Sequence, residues 1–109
     1  MKKKSTPGRP RSARRQLERA VDKLGRDRER LFALSPGGSA ERPLGVEAAV
    51  VVEVRALSVP CPRCEGPHEL VEHAALVAGG DRLREARLRC RRCGTRRSLF
   101  FRLEEQRLN

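Results

Sequence analysis

Aromatic side chains are nearly absent from this chain of 109 residues, which contains no Trp, no Tyr and only three Phe. Hydrophobic residues make up 38% of the sequence and charged residues 36%. A chain of this length accommodates one small domain with tails, and so few large apolar side chains leave that domain a thin core. Small domains of this kind usually need a disulfide, a metal or a partner to fold. We therefore expect one of these to stabilise the protein.

Long apolar segments are also missing from the sequence. No stretch approaches the ~20 apolar residues that span a membrane. The N-terminus is basic but lacks the apolar segment of roughly 7–15 residues that a signal peptide requires. The sequence therefore predicts a cytoplasmic protein that makes no membrane contact. In a reducing compartment, paired cysteines are more often metal ligands than disulfides.

Acidic residues are the minority charge, with 14 Asp and Glu against 25 Lys and Arg, for a formal net charge of +11. Basic segments at both ends flank a mildly acidic middle. This balance favours a polyanionic partner such as DNA or RNA. The alternative is a compositional bias toward arginine, with no functional meaning.

Recognisable catalytic groupings are absent from the sequence. No Ser-His-Asp set, no phosphate-binding glycine loop and no convergent carboxylate pair can be assembled from it. The two histidines, His68 and His73, are interpreted as incidental rather than as ligands. We therefore expect a protein that is not an enzyme and has no small-molecule substrate.

The chain has only four cysteines, and they form two CxxC pairs with 25 residues between them. A CxxC turn, or knuckle, places two thiolates on one side of a tight loop, so two knuckles supply a complete tetrahedral set. The pattern predicts one structural zinc ion. Iron in a four-cysteine site and a redox-active dithiol are the alternatives, although a thioredoxin-like dithiol needs a βαβ context that this sequence lacks. The predicted ligands are Cys61, Cys64, Cys90 and Cys93.

Hydrophobic periodicity predicts a small α+β domain. Helical spacing of apolar residues predicts an amphipathic helix from Ser12, as its N-terminal cap, to Leu34. That helix either packs on the domain or binds a partner, because an isolated helix of this length is marginal in water. The predicted organisation is a disordered basic arm over 1–11, a helix over 12–34, a linker over 35–44, a metal-binding domain over 45–104 and a polar tail over 105–109.

Alternating patterns predict four strands in an antiparallel sheet. The first is a long strand from Val46 to about Val59, which ends at the first knuckle. The second and third form a hairpin around Gly79-Gly80-Asp81. The predicted ranges of the last three strands are 69–78, 83–90 and 97–103.

The order strand, knuckle, hairpin, knuckle, strand resembles the zinc ribbon family over about half of the chain, from Val46 to Leu103. The resemblance implies a non-enzymatic, zinc-bound module that contacts nucleic acid or other proteins. Gly94 follows the second knuckle, where a residue tolerant of positive φ is needed. Glu65 takes that place in the first knuckle and the glycine comes one residue later, so we expect the first turn to differ from the second.

Arginines crowd the second knuckle and predict a phosphate-binding tip. Phe100 is placed either to stack on an unpaired base or to pack beneath the helix. The segment Gly8-Arg9-Pro10-Arg11 resembles part of an AT-hook, although Pro7 replaces the arginine before its glycine; the alternative is a basic tail with non-specific phosphate affinity. The predicted nucleic-acid contacts are Arg9, Arg11, Arg91, Arg92, Arg96, Arg97, Phe100 and Arg102.

A second functional hypothesis is a protein-interaction module that docks on a larger assembly such as polymerase or ribosome. In that case the apolar stripe of the predicted helix lies in a groove of the partner or pairs with a second copy. The two hypotheses are compatible with each other.

Overall fold

A computed structural model describes residues 10–104; the arm as far as Arg9 and the tail from Glu105 lie outside the described residues. The elements are helix α1 and strand β1, then helix α2, and finally strands β2, β3 and β4. Their bounds are α1 Pro10–Leu34, β1 Leu44–Val46, α2 Ala49–Leu57, β2 His68–Ala78, β3 Asp81–Cys90 and β4 Arg96–Leu103. The predicted α+β class is confirmed.

The sheet has the strand order β1-β4-β3-β2. Its β2–β3 and β3–β4 pairs are antiparallel, but β1 runs parallel to β4, with Leu44 opposite Phe101. The prediction of a fully antiparallel sheet was therefore wrong. The hairpin between β2 and β3 was placed correctly: Gly79 and Gly80 both have positive φ, as a tight two-residue turn between antiparallel strands requires.

The predicted long strand over 46–59 is the main error of the sequence analysis. Of that range only Val46 lies in a strand, as the last residue of β1, and Ala49–Leu57 forms helix α2 instead. A near-continuous apolar run fits both the two-residue period of a strand and the 3.6-residue period of a helix, because it has valines two residues apart and four residues apart. Packing selects the helix: Val52 and Ala56, four residues apart, are fully buried against the sheet.

The core lies between one face of the sheet and helix α2. In β4, Leu99 and Phe101 point into this core, as their alternation predicted. The end of α1 completes the cover, because Phe32 packs against the same cluster. The buried members of the cluster are Val46, Val52, Ala56, Ala86, Leu88, Leu99 and Phe101.

Helix α1 starts two residues earlier than predicted, at Pro10, which suits the first turn because proline has no amide hydrogen to leave unpaired. Its C-terminal end is closed by Ser35, whose amide donates to the Phe32 carbonyl at 3.0 Å. The Arg42 guanidinium also donates to the carbonyl of Leu34 at 2.8 Å. Most of α1 projects from the domain, and the molecule measures 84 × 25 × 18 Å. Within residues 10–104, no helix is both long and apolar enough to cross a membrane.

Candidate metal centre

The two knuckles have the same backbone form. In the first, the Glu65 amide donates to the Cys61 carbonyl at 2.7 Å; in the second, the Gly94 amide donates to the Cys90 carbonyl at 3.0 Å. Glu65 has φ +63° and Gly94 has φ +78°, so both take the left-handed conformation. The expected difference between the two turns is therefore absent from the backbone, because Glu65 adopts the conformation that glycine adopts without strain.

Gly66 has a role that its sequence position did not reveal. A Cβ atom at this position would lie 2.8 Å from the Cβ of Arg92 and 3.2 Å from the sulfurs of Cys64 and Cys90. Only a residue without a side chain allows the first knuckle to approach the second this closely. The Gly66 carbonyl also accepts a hydrogen bond of 2.9 Å from the Cys61 amide, which closes the loop.

The four cysteine sulfurs converge, and all lie within 4.8 Å of one another. The Cys64 and Cys90 sulfurs are 3.4 Å apart, and those of Cys61 and Cys93 are 3.7 Å apart. A tetrahedral ion with metal–sulfur bonds of ~2.3 Å separates its ligands by about 3.8 Å, whereas a disulfide requires ~2.05 Å. The arrangement therefore suits one tetrahedral metal ion and contains no disulfide.

Backbone amides are aimed at the sulfurs and stabilise negative charge on them. The amides of Arg92 and Cys93 donate to the Cys90 sulfur at 3.3 Å and 3.4 Å, and the Arg63 amide donates to Cys61 at 3.4 Å. Burial raises the pKa of the Cys90 thiol. These two amides and the neighbouring thiols lower the pKa by a larger amount, so the net value is about 6. A thiolate is the form that binds metal, so the knuckle geometry favours binding near neutral pH.

The remaining thiols show how protons are shared in the cluster. A hydrogen bond from Thr95 lowers the pKa of the Cys93 thiol. At Cys64, a backbone hydrogen bond at Gly66 lowers the pKa, but burial and the adjoining thiols raise it to about 11. Four adjacent thiols cannot all lose their protons without a cation to balance the charge. The cluster is therefore suited to a metal cation.

Arg97 is the charged side chain that ties the metal centre to the rest of the fold. Its side chain is only 4% exposed, and it forms an ion pair with Glu29 of α1. It also donates to the Nε2 atom of His68, and it lies 6.0 Å from the centre of the Phe32 ring. The pKa of Arg97 is lowered by burial but raised on balance by Glu29 and by Cys61. Arg97 therefore carries positive charge between a helix carboxylate and a metal ligand.

His68 is structural and not incidental. It opens β2, is buried, and its Nδ1 lies 2.7 Å from the carbonyl oxygen of Val59. That contact requires a proton on Nδ1, which leaves Nε2 to accept from Arg97. Burial lowers the pKa of His68, and the positive charge of Arg97 lowers it further. The neutral ring thus links Val59, before the first knuckle, to Arg97 of β4, after the second knuckle.

Helix α1 docks against the first knuckle through a small patch. Gly25 lies against Arg63, whose guanidinium would be 3.4 Å from a Cβ atom at that position. Arg28 donates to the Arg63 carbonyl at 3.3 Å, and the Nε atom of Arg63 lies 3.7 Å from Glu29. A Cβ atom at Gly25 would be in ordinary van der Waals contact with Arg63, so this packing does not require the glycine, which within a helix costs about 1 kcal/mol relative to alanine.

The predicted nucleic-acid contacts divide into several groups. Arg91, Arg92 and Arg96 are exposed around the second knuckle, as predicted. Arg97 is buried in its ion pair with Glu29, so its prediction as a surface contact is corrected. Arg11 is exposed on the first turn of α1, and Arg9 lies outside the described residues.

The last two predicted contacts, both on β4, lie away from the second knuckle. Arg102 pairs in register with Leu83, at the hairpin end of the sheet and opposite to the knuckle end. Phe100 is half-buried, its amide donates to the Gly37 carbonyl at 2.8 Å, and it does not pack beneath α1 in the core cluster. Four residues along a strand span about 13 Å, which separates Phe100 from Arg96. These side chains therefore do not form one tip.

Comparisons with protein-family models, with curated proteins and with solved structures found no match to this chain.

Proposed function

We propose that this protein is a non-enzymatic, zinc-stabilised domain of the zinc ribbon type that binds the phosphate backbone of nucleic acid. The zinc ligands are the four converging cysteines. The ribbon comprises the two knuckles and strands β2, β3 and β4, without the long first strand expected from the sequence. The observation that carries the nucleic-acid proposal is the exposed arginine cluster at the second knuckle.

Zinc is proposed over iron because four thiolates in a closed set are typical of structural zinc, and the donor chemistry leaves no open position for catalysis. The test is the metal content of protein purified without added metal. One zinc per chain and a colourless solution support the proposal. Iron at that stoichiometry, with the visible absorption of an iron–thiolate centre, would replace zinc in it.

The arginine cluster consists of Arg91, Arg92 and Arg96. Arg96 lies directly opposite Arg89 in the β3–β4 register, and like charges in such a pair repel each other. Glu69 balances Arg89 through a hydrogen bond of 2.7 Å and lies 3.8 Å from Arg91. One carboxylate thus faces several guanidinium groups, and the surface has spare positive charge for phosphate.

Charge compensation at the metal does not account for this cluster. Arg97, which lies on the buried side of the sheet, is the arginine whose charge interacts with Cys61. Arg92 reaches the carbonyl of Cys64 at 3.1 Å, which holds its guanidinium beside the knuckle but leaves the residue exposed. Arg91 and Arg96 point to solvent. Because Arg91 shares Glu69 with Arg89, this exposed group keeps a net positive charge that can attract a polyanion.

The deciding experiment measures binding of short duplex DNA, duplex RNA and single strands across a range of salt concentrations. The test variant is Arg91→Gln, Arg92→Gln, Arg96→Gln. The matched control is Arg55→Gln, Arg82→Gln, Arg102→Gln, which removes the same charge from exposed sites on α2 and the hairpin end. For a phosphate-binding tip, we expect the knuckle variant to lower the slope of log K against log salt by about three units on duplex DNA, and the control by less than about one.

Equal losses in the two variants would mean that net charge, and not the knuckle, attracts the nucleic acid. Absence of binding to every substrate at low salt would refute the proposal outright.

A further inference from the structure

An apolar seam runs along the projecting helix α1 and has no partner within residues 10–104. Its positions alternate in steps of four and three residues, which is the heptad pattern of a coiled coil. In heptad terms, Leu17, Leu24 and Leu31 occupy the a positions. The d positions are Ala13, Ala20, Asp27 and Leu34.

The seam is exposed and lies beside the docked side of α1, where Leu31 lines an open pocket with Pro62 of the first knuckle. Contacts to the first knuckle and to the core come from Gly25, Arg28, Glu29 and Phe32, none of which is an a or d residue. The a-position leucines remain exposed even where the helix is docked, with Leu31 at 68%. The docked side of α1 thus holds the helix in place, and the adjoining side, beyond Arg28, presents the seam.

The width of the seam favours a helix as the occupant. Among the large exposed apolar residues of α1, only Val21, at an e position, lies outside a and d. The stripe is therefore narrow, whereas a helix lying on a membrane or a broad surface has a wider apolar face. Asp27 sits within the stripe, and its carboxylate is 3.5 Å from Arg30 and 3.8 Å from Lys23. A carboxylate at that position disfavours insertion among lipid chains but is tolerated in a coiled coil, where a polar core residue fixes the register.

The charges beside the seam exclude a second copy and define the partner. The flanking e and g positions carry basic, polar or apolar side chains and no acidic residue. In a homodimer, parallel or antiparallel, these flanks would place arginine and lysine against each other, and Asp27 would add a second buried carboxylate. The flanking residues are Arg14, Val21 and Arg28 at e and Gln16, Lys23 and Arg30 at g.

We propose that α1 is a docking helix for a protein partner whose own amphipathic helix carries acidic residues beside its apolar seam. The partner contributes glutamate or aspartate at its e and g positions and a basic or amide side chain opposite Asp27. The proposal stands on α1 alone and does not depend on nucleic-acid binding at the second knuckle.

The test uses the full-length, zinc-loaded protein and synthetic peptides of about 28 residues, or four heptads. The first peptide has leucine at a and d and glutamate at e and g. The second has lysine at e and g, and the third is a scrambled form of the first with the same charge. We expect the acidic heptad peptide to bind one-to-one and gain helicity. We expect about a hundredfold weaker binding of the other two at 0.15 M salt.

The variant Leu17→Asp, Leu24→Asp tests the seam, and Arg15→Gln, Arg19→Gln is its matched control. Both change the net charge by the same amount, and all four residues are exposed, so both variants are expected to fold and retain metal. The seam variant should lose about a hundredfold in affinity for the acidic peptide, because two leucines no longer become buried. The control, altered on the opposite face, should keep its affinity within about threefold.

Three results would overturn the proposal. The first is equal binding of the acidic and scrambled peptides, or no binding of either. The second is a dimer in sedimentation at micromolar concentration that becomes monomeric in the seam variant, since the occupant would then be a second copy. The third is leucine-dependent binding to anionic vesicles without binding to the acidic peptide.

Discussion

At the scale of single residues, Glu65 bears backbone strain at the metal centre. Its φ of +63° is one that L-residues with side chains rarely adopt, and it is the one non-glycine residue among 10–104 with positive φ. The left-handed conformation costs roughly 1–2 kcal/mol for a residue with a Cβ atom. Ligand geometry imposes this conformation, because the Glu65 amide must reach the Cys61 carbonyl.

Replacing Glu65 with glycine should therefore stabilise the zinc-loaded protein by about 1 kcal/mol. This is the net of two effects: the backbone strain is relieved, and the more flexible glycine raises the conformational entropy of the unfolded chain. The measurement is urea unfolding at constant zinc. The reciprocal control is Gly94→Ala, which puts a Cβ atom at φ +78° in the second knuckle and should destabilise by a similar amount. Destabilisation by Glu65→Gly would show that the side chain contributes more than its backbone strain costs.

His68 makes folding stability depend on pH. Its pKa is lowered in the folded state, mainly by burial, so the unfolded chain binds its proton more readily. Its contribution is therefore complete above the unfolded value of about 6.5 and is lost as the pH falls toward the lower folded value. One such group can change the unfolding free energy by up to about 1.4 kcal/mol per pH unit.

We expect His68→Gln to reduce the loss of stability between about pH 6.5 and pH 5.5, although the variant is less stable overall. Urea unfolding of zinc-loaded protein at several pH values provides the measurement. His73→Gln, the same substitution at the other histidine, is the matched control. If His68→Gln and the wild type have identical pH profiles, the buried ring does not carry this dependence.

At the scale of elements, the docking of α1 depends on one buried ion pair. Glu29 and Arg97 join the helix to β4, and the chain segments that carry them are far apart in sequence. Removal of one member leaves a buried charge without its partner, which is costlier than removal of both. The apolar contact of this end of the helix is limited to Phe32, so the ion pair largely determines whether α1 stays docked.

Glu29→Gln should destabilise the protein by about 3 kcal/mol, because it leaves the Arg97 charge uncompensated. Hydrogen exchange should then show faster exchange in residues 25–34 of α1 than in β2 and β3. Asp22→Gln, a substitution of an exposed acidic residue on the same helix, is the control and should change stability by less than about 0.5 kcal/mol. Unchanged exchange in 25–34 would show that Phe32 and Arg28 suffice for docking.

At the scale of the whole molecule, we expect folding to be coupled to metal binding. The core cluster is small, with Phe101 as its largest fully buried side chain. The two knuckles connect α2 to β2 and β3 to β4, so a metal held by all four cysteines would join helix α2 and three strands of the sheet. We expect a core this thin to gain much of its stability from metal–ligand bonds.

Chelation of the metal should therefore unfold the sheet, with loss of β signal in circular dichroism and recovery on adding zinc. The expected stoichiometry is one zinc per chain. The projecting half of α1 does not contact the sheet and should contribute nothing to this transition. Ala20→Gly on its exposed surface is therefore expected to leave the chelation midpoint unchanged. A metal-free protein that keeps its sheet would contradict the central role of the cysteine cluster.

Local chemistry in the sequence was sufficient to predict the cysteine cluster, the hairpin and helix α1. Each of these features depends on residues only a few positions apart, so it can be predicted without knowledge of the fold. The features are the CxxC spacing, the Gly79-Gly80 turn and the helical spacing of the leucines. Only the tertiary structure decided whether Ala49–Leu57 forms a strand or a helix. The apolar run is compatible with both, and the helix is formed because it buries Val52 and Ala56 against the sheet. It alone also brought Glu29, Arg97 and His68 together, since contacts across so many residues leave no local pattern.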